Sequence, residues 1–278
     1  MNLKKFVLLT SFILAMAMLI GVVSYIITDE IINANEVTKL QKSSYICNDL
    51  SDASVIGISN ISNDESKENK EQSVERENSN YISPIDFDYL KKSNPDIFAW
   101  INIPGTAVDY PVVQHPTDDS YYLKHGPEGM YSAYGCPYIE LSDSGSFLEF
   151  NTVIYGHNMN DGSMFASLHD FENKDFFEKH REIVIYTAEH MFTYEVFAAV
   201  MYSDAHIPYY FNDAIESDRT SFLNSLVYDS IPERSIISDD ATVSEDNCII
   251  TLSTCDKKLR DNRFLVVAVL KQIDGREA

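Results

Sequence analysis

A thiol eight residues from a guanidinium is the first arrangement in this sequence able to do chemistry. Thr251-Leu252-Ser253-Thr254-Cys255 reads as a strand ending in a cysteine, and Arg263 opens the apolar run Phe264 to Leu270. Two adjacent strands joined by a short loop bring the ends of that loop together, so Cys255 and Arg263 can face one pocket. There the cysteine is a candidate nucleophile. The arginine, always charged and rich in donors, is a candidate stabiliser of the oxyanion made by attack on a carbonyl. A cysteine nucleophile also needs a partner for proton transfer, usually histidine. Of the seven histidines, His157 stands apart, because it follows the apolar run Thr152 to Tyr155 and a glycine and so belongs at another strand end. No His-x-x-x-His or Cys-x-x-Cys spacing occurs, so a zinc site is not expected; this chemistry calls for no cofactor.

Alternation along the cysteine strand puts Cys248, Ile250 and Leu252 on one face and Thr251, Ser253 and Cys255 on the other. Cys248 then reads as a small core residue and Cys255 as a free thiol on the more polar face. The two lie roughly 23 Å apart at about 3.3 Å per residue, too far for a disulfide. A pairing of Cys136 with Cys248 stays open, although a plain core role suits Cys136 better. Asp256, directly after the candidate nucleophile, reads as an exposed loop acid.

These residues sit late in a chain of 278 residues with a formal net charge of -22, from 43 acidic and 21 basic side chains. That balance argues against a nucleic-acid partner, whose phosphates need a basic face. Lys4 and Lys5 precede an uncharged stretch from Phe6 to Thr28. About 20 such residues span the roughly 30 Å hydrocarbon core of a bilayer. The positive-inside rule then places the N-terminus in the cytoplasm and the rest outside. No small-residue cleavage site follows Ile27, which favours an uncleaved anchor over a signal peptide. Residues 29–82 lack a packed-domain signature; Asn60 to Asn80 is dominated by Ser, Asn, Glu and Lys and reads as a flexible stalk. The expected organisation is a cytoplasmic tip and anchor over 1–28, a stalk over 29–82, and a folded domain over 83–278.

Within that domain, Ser83-Pro84 predicts a capped helix running to Ser93 before Asn94-Pro95. Strands are expected at Phe98–Ile103, Ala107–Gln114, Cys136–Leu141, Phe150–Tyr155, Glu182–Thr187, Phe192–Met201, Cys248–Cys255 and Arg263–Ile273. Short helices are expected at Ser163–His169 and Asn173–His180, and a longer one at Arg219–Val227. Many short strands with few helices indicate a mainly β barrel or sandwich.

Several stretches together resemble the class B sortases: Thr251 to Cys255 with Arg263 downstream, Asn151 to Met159 around His157, Leu90 to Trp100, Val108 to Gln114, and Tyr121 to Leu123. The similarity runs from about Ile85 to Ile273. It implies a mainly β fold: a closed eight-stranded β-barrel with an N-terminal helix and a helix-containing insertion, at residues 203–246, before the penultimate strand. It also implies a cysteine transpeptidase on the bacterial cell surface, tethered to the membrane through residues 6–28. Its partners would be sorting-signal peptides of secreted proteins, cut after Thr, and a peptidoglycan amine that receives the acyl group from the cysteine. On the matching positions Cys255 is the nucleophile, His157 the acid/base, and Arg263 the group that binds the peptide and stabilises the oxyanion. Ser253, Thr254, Tyr209 and Tyr210 are candidate substrate contacts. A pilin-polymerising sortase, a hydrolytic cysteine peptidase and an inactive peptide-binding domain are the alternatives.

Overall fold

The computed structural model describes residues 81–278. The anchor expected over 6–28, the stalk up to residue 80 and Cys47 lie outside the described residues. Among the described residues no helix is long and apolar enough to cross a membrane.

The first helix, α1 (Phe87–Ser93), starts later than its sequence suggests. Asp86 caps it, its carboxylate accepting the Tyr89 N–H at 2.9 Å, while the Ser83 hydroxyl accepts the N–H of Ile85 at 3.3 Å instead. The carboxylate wins because it places Phe87 and Leu90, three residues apart, on the face that packs against Trp100, Val113 and Tyr122. Asn94 ends the helix before Pro95.

The strands follow as β1 (Ile97–Asn102), β2 (Asp109–Val113) and β3 (Asn151–Tyr155). A 3-10 segment (Ala166–Glu172) and α2 (Lys174–Lys179), capped by Asn173, lead into the hairpin of β4 (Glu182–Thr187) and β5 (Met191–Ser203). The next segment carries α3 (Ile207–Tyr210), α4 (Glu216–Tyr228) and the two-residue strand β6 (Ile236–Ile237). The chain closes with β7 (Ile249–Cys255), β8 (Asn262–Ile273) and β9 (Arg276–Glu277).

The main path of the sheet runs β2-β1-β4-β5-β8-β7-β3, with β6 on β5 and β9 on β8. Its neighbours pair antiparallel except β3 with β7, which are parallel. The sheet curls around one core that includes Ile101, Ile154, Ile185, Tyr194, Leu252, Phe264 and Val266. Its outer face is apolar too: Val153, Val200, Ile249, Leu265 and Val267 are covered by Ile207, Phe222 and Leu226 of α3 and α4. That double burial is why β5 and β8 read as continuous apolar runs rather than alternating ones.

The expected closed eight-stranded barrel is corrected here: among the described residues nine strands form an open, curled sheet. The expected strand at Cys136–Leu141 is the missing closure. Only Tyr138 of that segment bridges to both edges, exchanging hydrogen bonds with Tyr155 of β3 at 2.8 and 3.0 Å and lying beside Val113 of β2. Gly135 turns the chain just before it with φ +62, and Pro137 has no N–H to give to a ladder.

Candidate active site

Strand register brings the candidate residues together. Cys255 and Arg263 are direct partners across the β7–β8 ladder. In the parallel β3–β7 pair, Tyr155 lies opposite Ser253, so two residues further on His157 comes level with Cys255. The chain beyond β3 stays fastened to β7. Gly156 N–H donates to the Ser253 carbonyl at 3.1 Å, the Thr254 hydroxyl to the Gly156 carbonyl at 2.7 Å, and the Asn158 amide to the Cys255 carbonyl at 2.8 Å. Cys255 thus ends β7, Arg263 stands second in β8 and His157 follows β3 by two residues, and all three line one cleft of about 250 Å³.

Cys255 is exposed, whereas Ser253 and Thr254 are buried in the cleft wall. Arg263 donates to the carbonyls of Asn262 and Arg260 at 3.1 and 3.4 Å, and among the described residues to no carboxylate. Its remaining N–H groups are available to a ligand. His157 Nε2 lies 2.8 Å from the Leu123 carbonyl. A carbonyl only accepts, so Nε2 carries the hydrogen and Nδ1 is the nitrogen left to exchange a proton. The hairpin loop holds Lys257, Lys258 and Arg260, a local cationic exception in a strongly acidic chain.

Gly135 makes room for this arrangement. A Cβ there would stand 2.5 Å from the Tyr122 carbonyl oxygen, 3.1 Å from His157 Cδ2 and 3.2 Å from the Leu123 oxygen that holds the ring, on a backbone already at positive φ. Gly135→Ala should therefore cost about 1–2 kcal/mol of stability. It should also slow turnover several-fold, because the histidine and its acceptor must move. Thermal melts and steady-state kinetics on the same sample check both effects.

Of the remaining candidates, Tyr209 and Tyr210 do not reach this cleft. Tyr209 lines a neighbouring cavity, and both rings are largely exposed. Their helix contributes Ile207 to the cleft instead, next to His206. Sequence reasoning missed Tyr138, Tyr155, Glu140 and His206. Tyr138 stacks on Tyr155 at 5.4 Å, and burial, with the charge of Glu140 adding to it, pushes both phenols well above their ordinary range. His206 Nε2 bonds both oxygens of Glu140 at 2.8 Å. The aromatic run Tyr134-Gly135-Cys136-Pro137-Tyr138 was the available signal for this wall. Cys136 lies in the core under α1, where burial pushes its thiol far up. Cys248 is half-buried at the sheet rim, its Sγ 3.2 Å from the Leu148 carbonyl, not in the core as expected. Cys136, Cys248 and Cys255 are all free thiols.

Asp256 is a further correction: it is 6 % exposed and faces away from the cleft. Burial alone would raise its pKa. The Arg234 hydrogen bond and the N–H groups of Leu259 and Lys258 outweigh burial and hold the carboxyl at about 2. Donor atoms of His169, Glu172 and Asp256 lie within 4.8 Å of one another, a spacing that could hold a metal ion. The Arg234 guanidinium already sits among them as the cation.

The neighbouring cavity, about 720 Å³, shares Glu140, Tyr155 and Ile207 with the cleft and contains Asp143. Burial, with the adjacent Glu149 carboxylate adding to it, raises Asp143 to about 7. A carboxyl raised in the fold favours folding below its unfolded value, and this contribution is lost as pH rises from about 4 through 7. Asp143→Asn should therefore raise Tm at pH 8 and change it little at pH 4, as melts at the two pH values would record.

A family model described as the sortase domain matches residues 101–271. The sortase B of Listeria monocytogenes is 34 % identical over 167 residues, covering 60 % of this chain and 65 % of that protein, just under two thirds of its length. The sortase B of Staphylococcus aureus is 30 % identical over 204 residues, covering 73 % of this chain and 80 % of that protein. A solved Staphylococcus aureus sortase B–substrate complex superposes with a TM-score of 0.57 at 30 % identity, covering 66 % of this chain and 83 % of that one.

Proposed function

Since the chain belongs to the sortase family of cysteine transpeptidases, and within it to class B, we propose that it cleaves a C-terminal sorting signal after threonine and transfers the new acyl end to a cell-wall amine. The observation that carries this reading is the convergence of His157, Cys255 and Arg263 at the ends of β3, β7 and β8 in one cleft. The Cys255 sulfur attacks the threonine carbonyl as the thiolate, its proton held by His157, and the carbonyl oxygen takes up the electron pair of its π bond. Arg263, placed across the ladder, donates to that oxyanion. Protonated His157 gives the proton on Nδ1 to the leaving amine as the C–N bond breaks, leaving a thioester on Cys255. In the second half-reaction neutral His157 takes a proton from the incoming amine. That amine attacks the thioester, the C–S bond breaks, and Cys255 leaves as the thiolate beside reprotonated His157.

The walls of the cleft suit an extended peptide. Ser253 and Thr254 supply its floor, Tyr138 and Tyr155 an aromatic side, and His206 and Ile207 the side formed by the insertion between β5 and β7. Residues 1–28 would hold the enzyme in the membrane with the N-terminus cytoplasmic. The stalk at 29–82 would present the catalytic domain, 83–278, at the outer surface. The test offers fluorogenic peptides of Asn-Pro-x-Thr and Pro-Pro-x-Thr type, with and without an amine acceptor, and reads the products by mass spectrometry. Cleavage after Thr with an amine-capped product is expected. A free Thr carboxylate alone, even at saturating amine, would make the protein a peptidase instead, and no cleavage of any peptide would leave it a binding domain.

A further inference from the structure

Behind the nucleophile, away from the peptide cleft, a chain of hydrogen bonds links the insertion to the backbone at Cys255. Arg234 donates from Nε and Nη2 to the two oxygens of Glu172, at 2.9 and 2.5 Å, and from Nη2 to Asp256 Oδ2 at 2.8 Å. Glu172 pairs with His169 Nδ1 at 2.8 Å, and His169 Nε2 lies 3.2 Å from the Cys255 carbonyl oxygen. The imidazole is stacked on Phe264, ring centroids 4.8 Å apart, so its direction is fixed. Asp256, the residue after the nucleophile, also accepts the N–H groups of Lys258 and Leu259 at 2.9 and 2.6 Å. Arg234 therefore grips Cys255 from two directions: through its C-terminal neighbour directly, and through Glu172 and His169 on its carbonyl.

Cys255 is the last residue of β7, where the ladder stops and an exposed loop begins. A strand end at such a loop is the mobile part of a sheet. Acyl transfer needs the sulfur held at a fixed height between the acid/base and the oxyanion donor, and a displacement of about 1 Å can cost about 10²-fold in rate. Arg234 lies in the same insertion that contributes His206 and Ile207 to the cleft wall. It thereby ties the wall that receives the peptide to the atom that attacks it.

We propose that Arg234 is a positioning residue for acyl transfer, acting through Asp256 and through the Glu172–His169 relay on the Cys255 backbone. This rests on the acyl-transfer reading above. Arg234 does not line the peptide cleft, so its removal should lower kcat and spare KM.

The test uses the full chain and the variants Arg234→Ala, Arg234→Lys and His169→Gln. Three quantities are measured: kcat and KM for peptide cleavage, Tm, and the rate at which iodoacetamide alkylates Cys255, located by peptide mapping. Arg234→Ala should lose about 10- to 100-fold in kcat with KM within about threefold. Millimolar guanidinium should restore part of that loss, which a merely structural defect would not show. Arg234→Lys should fall between, because an ammonium ion cannot make the bidentate bond. His169→Gln should lose several-fold in kcat at nearly unchanged Tm. A loss carried by KM, or no recovery with guanidinium, overturns the proposal. If Arg234→Ala does not fold, Arg234→Lys and His169→Gln decide it: kcat within about twofold of wild type in both overturns it. If the wild type cleaves no sorting peptide, the acyl-transfer reading fails. The alkylation rates still judge the positioning role, supporting it if they differ several-fold from wild type and overturning it if they match.

Discussion

Cys255→Ala is expected to fold normally and to lose peptide cleavage by about 10⁴-fold or more, with no thioester detectable by mass spectrometry. In the proposed reaction Cys255 supplies the covalent step itself, so neither Arg263 nor His157 can replace it. The fold should not notice the change, because Cys255 is exposed at a strand end and its sulfur fills no core space. The other thiols behave in the opposite way. Cys136 is 4 % exposed and packed among Trp100, Tyr122 and Tyr138, so Cys136→Ala should lower Tm and leave turnover per folded molecule intact. Cys248 bonds the Leu148 carbonyl at the far end of β7, and Cys248→Ala should be nearly silent in both measurements. Residual cleavage in Cys255→Ala above about 1 % of wild type would transfer the nucleophile's role elsewhere.

The contrast among these thiols shows what the sequence disclosed and what it withheld. Alternation along Cys248 to Cys255 correctly turned Ile250 and Leu252 inward. It also marked Thr251 and Ser253 as the more polar face, yet both are buried. The reason is that the layer formed by α3 and α4 packs on that face, and Thr251 spends its hydroxyl on the Asn151 side chain of the neighbouring β3 at 2.8 Å. A cover supplied by residues 207–226 cannot be read from a strand at 249–255. Asp256 was misjudged for the same reason: its partner Arg234 is 22 residues away, and no local pattern reports a long-range ion pair. The opposition of Cys255 and Arg263 was legible because a hairpin is local, with its register tied to the loop. His157 entered through a parallel pairing, which no loop length encodes. The closure at Tyr138 failed as a strand because β-rich composition at Cys136–Leu141 does not supply the donor that Pro137 removes.

Arg263→Ala should lower kcat about 10²- to 10³-fold, the usual cost of losing one oxyanion donor. Arg263→Lys should recover only part of it. Directly opposed residues in an antiparallel ladder hold their Cβ atoms roughly 4.5–5.5 Å apart. A guanidinium growing from one therefore reaches the carbonyl attacked by the other, and the shorter fork-less reach of lysine does not reproduce that geometry. The bonds from Nη1 to the Asn262 and Arg260 carbonyls keep the group in its own loop, so its donors are aimed before substrate arrives. The decisive comparison is between two reactions of the same sulfur. Alkylation by iodoacetamide displaces iodide at carbon and develops no oxyanion, whereas peptide cleavage does. If Arg263 acts on the oxyanion, Arg263→Ala should slow cleavage far more than alkylation. If the two rates fall together by the same factor, Arg263 acts on the sulfur and not on the transition-state oxygen, and the assignment of the oxyanion site must move to the backbone N–H groups around Cys255.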